Sequence, residues 1–234
     1  MADPDHDQIY QKQAEQYERL VSHEDWQHNL LPAIERIAPL KGLDVVELGA
    51  GTGRLTCMLA PVVSSIRAFD ASPHMLDVAA AKLKKRGLYN WRTAVADHRR
   101  LPVGDRTADL VIAGWSVCYL VKGNAREWRP ELDRALTEMK RVLRPGGTIV
   151  LLETLGTGYA QPHRLASLEA YYAFLEDAGF SSTWVRTDYR FGSLQEAVSL
   201  ARFFFGPELA AQVTEKNWVI LPECTGLWWW RNSR

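Results

Sequence analysis

Apolar residues along this chain gather in short β-branched runs separated by longer stretches of helical spacing. Val45-Val46 ahead of Glu47 and Leu110-Val111-Ile112 are runs of the kind buried on both faces of a parallel sheet, and Ile66-Arg67-Ala68-Phe69 ahead of Asp70 reads as a further strand. They place strands near 43–48, 65–70 and 108–113, with others near 90–95 and 147–153. Helical periodicity covers 8–22 and 24–38 before the first strand. Ser72 and Pro73 read as an N-cap and first helical residue, opening a helix that ends near Gly87. A helix near 130–143 meets the breaker Arg144-Pro145-Gly146-Gly147. Beyond 165 the pattern predicts a helix to about 178, a strand near 183–190, helices near 193–213 and a strand near 217–230.

Strands alternating with helices imply parallel βαβ units. The expectation is an α/β fold: a doubly wound, mostly parallel seven-stranded sheet with helices on both faces and an N-terminal helical addition. The 234 residues suit one domain, with a helical lid over 1–40, a core over 41–153 and the remaining half of the sheet over 154–234. Lys plus Arg (28) balances Asp plus Glu (28), which argues against a nucleic-acid partner. No apolar run approaches the roughly 18 residues of a membrane span, and the acidic start has no secretory h-region. Cys57, Cys118 and Cys224 lack metal spacing, so no metal is expected and a reducing cytoplasm suits them. Nothing in the sequence sets an oligomeric state.

The chemistry starts at Val45-Val46-Glu47-Leu48-Gly49-Ala50-Gly51-Thr52-Gly53-Arg54, where a strand turns through alternating glycines into a helix. The spacing is G-x-G-x-G, not the dinucleotide G-x-G-x-x-G, and the carboxylate of Glu47 suits a cationic ligand. The stretch resembles the first motif of the class I S-adenosylmethionine-dependent methyltransferases. Asp70-Ala71-Ser72-Pro73-His74-Met75-Leu76 is similar to that family's D-x-S-x-x-M-L run, and Asp97-His98 with Leu101-Pro102 to its D-x-x-x-L-P segment. The resemblance implies a Rossmann-like methyltransferase fold with S-adenosyl-L-methionine as cofactor. Glu47, Gly49, Ala50, Gly51 and Gly53 would then cradle it and Asp70, beside Ala71, would accept from the ribose. Met75 would pack near adenine, Asp97 beside His98 would accept from its amino group, and Trp115 would stack on it or wall the pocket. Tyr10, Ala14 and Tyr17 fit the Y-x-x-x-A-x-x-Y segment whose tyrosines close over the methionine end. Each assignment has a plainer alternative: a helix cap for Asp70, a turn for Asp97, ordinary packing for Trp115 and the tyrosines.

Methyl transfer from a sulfonium is an in-line displacement that needs alignment and exclusion of water more than a fixed catalytic group. Residues after the fourth and fifth strands lie at the ligand-binding edge of such a sheet. Trp115, Tyr119, Tyr159 and His163, with Tyr10, are therefore the candidate wall for a small-molecule acceptor. His163 is the candidate base by residue type, against an exposed loop histidine. Two other readings remain at this stage: a non-catalytic S-adenosylmethionine-binding module, and a nucleotide-dependent oxidoreductase.

Overall fold

Val45 and Val46 lie fully buried in β1 (Asp44–Leu48), their side chains in the hydrophobic cores on opposite faces of one sheet. In this computed structural model, which describes residues 4–122 and 127–233, β1 is flanked in parallel by β2 (Ser65–Asp70) and β4 (Ala108–Gly114). β3 (Trp91–Val95) and β5 (Leu143–Thr157) continue the parallel set outward. β9 (Glu223–Arg231) runs antiparallel to β5 and to the edge strand β6 (Ser181–Arg186). The order β3-β2-β1-β4-β5-β9-β6 reverses between β1 and β4, which is where doubly wound sheets bind ligands.

Helices α7 (Trp128–Val142) and α8 (Glu169–Asp177) cover one face, packing Leu132, Leu136, Tyr171 and Tyr172 against Val46, Val111 and Trp228. On the other face α3 (Leu30–Ile37) and α4 (Arg54–Leu59) pack against Val45, Leu110, Val150 and Leu227. Each fully buried aliphatic side chain contributes about 1.5–3 kcal/mol. Alternation in β9 sends Trp228 and Trp230 to the first face and Trp229 to the second. Helix α5 (Pro73–Lys85) begins with the Ser72 side chain accepting from the Met75 amide, as the sequence indicates.

Five boundaries differ from the sequence pattern for local reasons. The expected helix over 8–22 breaks at Gln13 into α1 (His6–Lys12) and α2 (Ala14–Val21). The expected helix over 24–38 shortens to α3, because the Asp25 carboxylate accepts from the Asn29 and Leu30 amides and holds 24–29 as a turn. β5 starts directly at Leu143, so the proline-glycine run lies within the strand. The strand expected over 183–190 divides where Thr187 and Asp188 turn to pair with Asp25 and Trp26, leaving β7 (Tyr189–Arg190) separate. The last strand divides at Pro222, which has no N–H, into β8 (Ile220–Leu221) and β9. Residues 1–3 of the expected lid lie outside the described residues.

The helical additions before the first and the last strand share one core. Leu20 of α2 packs with Tyr189 and Leu221 of the β7–β8 pair and with Leu200 and Val213 of α9 (Leu194–Phe205) and α10 (Pro207–Glu215). Together they cap the carboxyl ends of β1, β4 and β5. No helix of the described residues is long and apolar enough to cross a membrane.

Candidate functional site

The three glycines after β1 do three different things. Gly49 (φ +64°) must lack a Cβ because one would lie 2.2 Å from Ser116 Cβ. Gly53 sits against α5, where a Cβ would stand 2.8 Å from that of Ala79. At Gly51 (φ +53°) a Cβ would meet only Met75 Cε, in ordinary contact at 3.7 Å, and the Gly51 amide donates to Asp70 Oδ2 at 2.8 Å. The other Asp70 oxygen accepts from the Ser72 amide at 2.8 Å. One carboxylate thus ties the glycine turn to the start of α5.

Two cavities meet above this turn. The outer one, about 540 Å³, is lined by Asp70, Ala71, Met75, His98 and Ser116. The inner one, about 460 Å³, is lined by Glu47, Ala50, Arg54, Glu153, Thr154 and Glu223 below and by Phe204, Phe205 and Leu209 of the cap above. Tyr10, Tyr17, Gly49, Gly51, Trp115 and Tyr119 line both.

Most charged groups here are held away from water. Burial pushes the Glu47 carboxyl up to about 8, even though the Thr56 hydroxyl donates to its Oε2 at 2.7 Å; the Asp70 charge adds to the rise. Arg54 pairs with Glu24 at 2.5 Å and lies over the Trp115 ring, 4.1 Å from its centroid. Trp115 takes a left-handed backbone (φ +51°), a strain of order 1–3 kcal/mol that aims its indole between the two cavities. Burial lowers the His98 pKa, so its imidazole is neutral at pH 7, with Nε2 3.2 Å from Ser116 Oγ. Glu153 Oε1 accepts from the Cys118 amide and the Tyr171 hydroxyl, tying β5 to the segment after β4.

The roof is aromatic. The Tyr10 and Tyr119 hydroxyls are 2.6 Å apart, and the Tyr17 ring stands edge-on to Tyr10 with centroids 5.4 Å apart. Ser72 Oγ donates to the Tyr10 carbonyl, and the His6 ring packs on Phe204, so α1 is fastened to α5 and α9.

A family model described as a methyltransferase domain matches residues 46–151, the span from β1 into β5 that builds the glycine turn and both cavity floors. The chain belongs to the class I S-adenosylmethionine-dependent methyltransferases. This methyltransferase is 27% identical over 216 residues to a demethylmenaquinone methyltransferase of a Geobacillus species, a match covering 88% of this chain and 84% of that one. It is 34% identical over 111 residues to the YafE protein of Escherichia coli, where the match covers 47% of this chain and only about half (49%) of that relative. Among solved structures, the YcgJ protein of Bacillus subtilis shares the fold, with a TM-score of 0.61, 16% identity and coverage of 88% and 99%.

The methyltransferase brings most of the expected residues together and leaves four out. Asp97 does not reach either cavity: the Arg99 side chain and backbone amide hold its carboxylate, keeping its pKa down at about 2, and neighbouring His98 takes the wall position. Gly53 serves helix packing, as its contact with Ala79 shows. Tyr159 and His163 stack on each other in an exposed loop, centroids 4.0 Å apart, and line neither cavity. Arg54, Glu24, Glu223 and the cap aromatics are the residues that the sequence reading missed. A lone acid within the apolar segment Leu221–Cys224 was the available signal for Glu223, of the same kind that marked Glu47.

Proposed function

We propose that S-adenosylmethionine spans both cavities through the gap beside Gly51, with adenosine in the outer cavity and the methionine end in the inner one. The observation that carries this reading is the open face of Gly51 at the point where the cavities meet, a space that a Cβ would begin to fill. The residues present fit the cofactor's groups. Asp70 borders the outer cavity with acceptor capacity left for ribose hydroxyls, and Met75 offers an apolar wall and His98 a flat, neutral one for the base. Glu47 faces the ammonium and Arg54 the carboxylate; Arg54 Nη2 is buried with no partner, which suits that role. When bound, the cofactor supplies an electrophilic methyl group on a positively charged sulfur.

Tyr10, Tyr17 and Trp115 then surround the transfer point, exclude water and tolerate the positive charge. The acceptor is a small molecule seated in the inner cavity under Phe204 and Phe205; the relatives named for demethylmenaquinone support that class of acceptor. The reading also carries a cytoplasmic location, supported by three buried cysteines that suit a reducing compartment.

Calorimetric titration with S-adenosylhomocysteine, NAD and NADP tests the proposal. Binding of S-adenosylhomocysteine with roughly micromolar affinity, about 8 kcal/mol, and no heat from either dinucleotide is the expected result. No binding of S-adenosylhomocysteine to folded protein refutes it.

A further inference from the structure

S-adenosylmethionine placed across the two cavities engages Glu47 and Arg54 and gives no role to Glu223. This first residue of β9 also lines the inner cavity and is only 2% exposed. Its backbone is fixed on both sides: its amide donates to Asp188 Oδ1 at 2.9 Å, and its carbonyl accepts from Thr187 at 3.0 Å. Thr154 Oγ1 donates to its Oε1 at 2.8 Å and the Thr157 hydroxyl lies near the same carboxyl, while Oε2 is buried and makes no hydrogen bond of full geometry. A fold does not hold a carboxyl oxygen dry and unpaired without cost, so a donor from a ligand is the natural complement.

The surroundings say which donor. Glu24 and Arg54 face the same carboxyl and pair with each other, and Tyr189 lies beside them. Among the described residues no lysine lines the inner cavity, and its one arginine is engaged by Glu24 on one side and assigned to the cofactor carboxylate on the other. Phosphate or carboxylate on the acceptor would meet Glu223 and Glu208 without a free cation. A planar carbonyl compound would leave Oε2 unpaired. An amine supplies the missing N–H, and the positive charge it carries after methylation is matched by the carboxyls and the aromatic residues that line the cavity.

We infer that the acceptor is a small amine whose N–H is held by Glu223 Oε2, and that this carboxyl receives the proton the amine gives up. This rests on the two-cavity placement of S-adenosylmethionine. The arriving ammonium favours the charged form of Glu223 and displaces its proton to solvent; the carboxylate so formed then takes one proton from the ammonium, which gains a free lone pair. The lone pair forms the N–C bond as the carbon–sulfur bond breaks with its electrons left on sulfur, giving a methylammonium product and S-adenosylhomocysteine. The carboxyl keeps that proton, and with it its resting form, when the product leaves. The environment suits this exchange: burial and the neighbouring Glu24 charge push Glu223 up to about 8, against the pull of Thr157, Thr154 and Arg54.

The test uses protein saturated with S-adenosylhomocysteine and two matched probes, 2-phenylethylamine and 2-phenylethanol, titrated by calorimetry. The amine is expected to bind at least tenfold more tightly than the alcohol. Glu223→Gln should erase that preference, Glu223→Asp should keep part of it, and both should bind S-adenosylhomocysteine within twofold of the parent. The aspartate variant carries the comparison if the glutamine variant fails to melt cooperatively. Equal affinities, a preference for the alcohol, no binding of either probe, or an unchanged preference in Glu223→Gln each overturn the inference. A tenfold loss of S-adenosylhomocysteine in Glu223→Gln also overturns it, by placing the residue in the cofactor site. If S-adenosylhomocysteine does not bind the parent protein, the two-cavity reading fails first, and that failure is distinguishable from these.

Discussion

The hydroxyls of Tyr10 and Tyr119 lie 2.6 Å apart, joining the first helix of the chain to α6 (Tyr119–Lys122) just after β4. That contact closes the roof where the two cavities meet, and it connects segments 109 residues apart. Only Ile9 of α1 is fully buried, so the helix is held mainly by its rings and hydrogen bonds. Deleting residues 1–12 should therefore lower turnover by more than tenfold while the remainder still melts cooperatively. Tyr10→Phe removes one hydrogen bond, about 0.5–1.5 kcal/mol, and should cost roughly two- to tenfold. Deleting residues 1–22 is a different experiment, because Leu20 belongs to the core of the cap and its loss should yield aggregated protein. Steady-state rates and thermal melts on the variants decide it; full activity without α1 would show that the roof is dispensable.

Asp70 holds the Gly51 and Ser72 amides and borders the outer cavity. Asp70→Ala should weaken S-adenosylhomocysteine by about 1.5–3 kcal/mol, roughly 10- to 150-fold. Asp70→Asn, which keeps an acceptor, should lose less. Calorimetry measures both, and an unchanged dissociation constant in the alanine variant would remove Asp70 from the site.

Glu24 and Arg54 form a largely buried pair under the inner cavity. Arg54→Met strands the Glu24 carboxylate and should cost about 3–5 kcal/mol of stability. Arg54→Met combined with Glu24→Gln should recover much of that loss. Denaturant unfolding of the two variants checks this, and equal stability would mean that the pair is not coupled.

The pattern of alternating strands and helices, and the glycine turn with its two acids, were readable because each depends on local spacing. β1, β2 and β4 need buried apolar runs, and Ser72-Pro73 needs only its own neighbours. What escaped depends on distant partners. Nothing around Gln13 foretells that α2 packs on the β7–β8 pair, and no local pattern shows Leu20 meeting Leu221. Asp97 is the exception, since the residue that holds its carboxylate, Arg99, is only two positions away, and sequence spacing does not tell a turn acid from a ligand. Arg54 looked like an ordinary first helical residue, yet Glu24 and Trp115 make it part of the cavity.

Glu47 and Glu223 both have folded pKa values raised from 4.5 to about 8, chiefly by burial. Between those values the folded protein keeps protons that the unfolded chain has released, so stability falls as pH rises from about 4.5 to 8. His98, whose pKa is lowered, acts in the opposite direction below its ordinary range, so the contribution of Glu47 is best isolated by comparing the parent with Glu47→Gln. The variant should show a flatter decline in melting temperature across that window. Cofactor binding brings an ammonium to Glu47, so S-adenosylhomocysteine should release protons at pH 7 and stabilise the protein more at pH 8 than at pH 6. Parallel pH profiles for parent and variant would contradict the assignment.

The central claim is that the cofactor passes directly against the backbone at Gly51. Titration of S-adenosylhomocysteine into Gly51→Val, beside the parent protein, tests it most directly. Valine there adds a branched side chain where the cavities meet, at a φ of +53° that β-branched residues resist. Roughly micromolar binding by the parent and none by a variant that still melts cooperatively is the result this account predicts. Parent-like binding by Gly51→Val would contradict it.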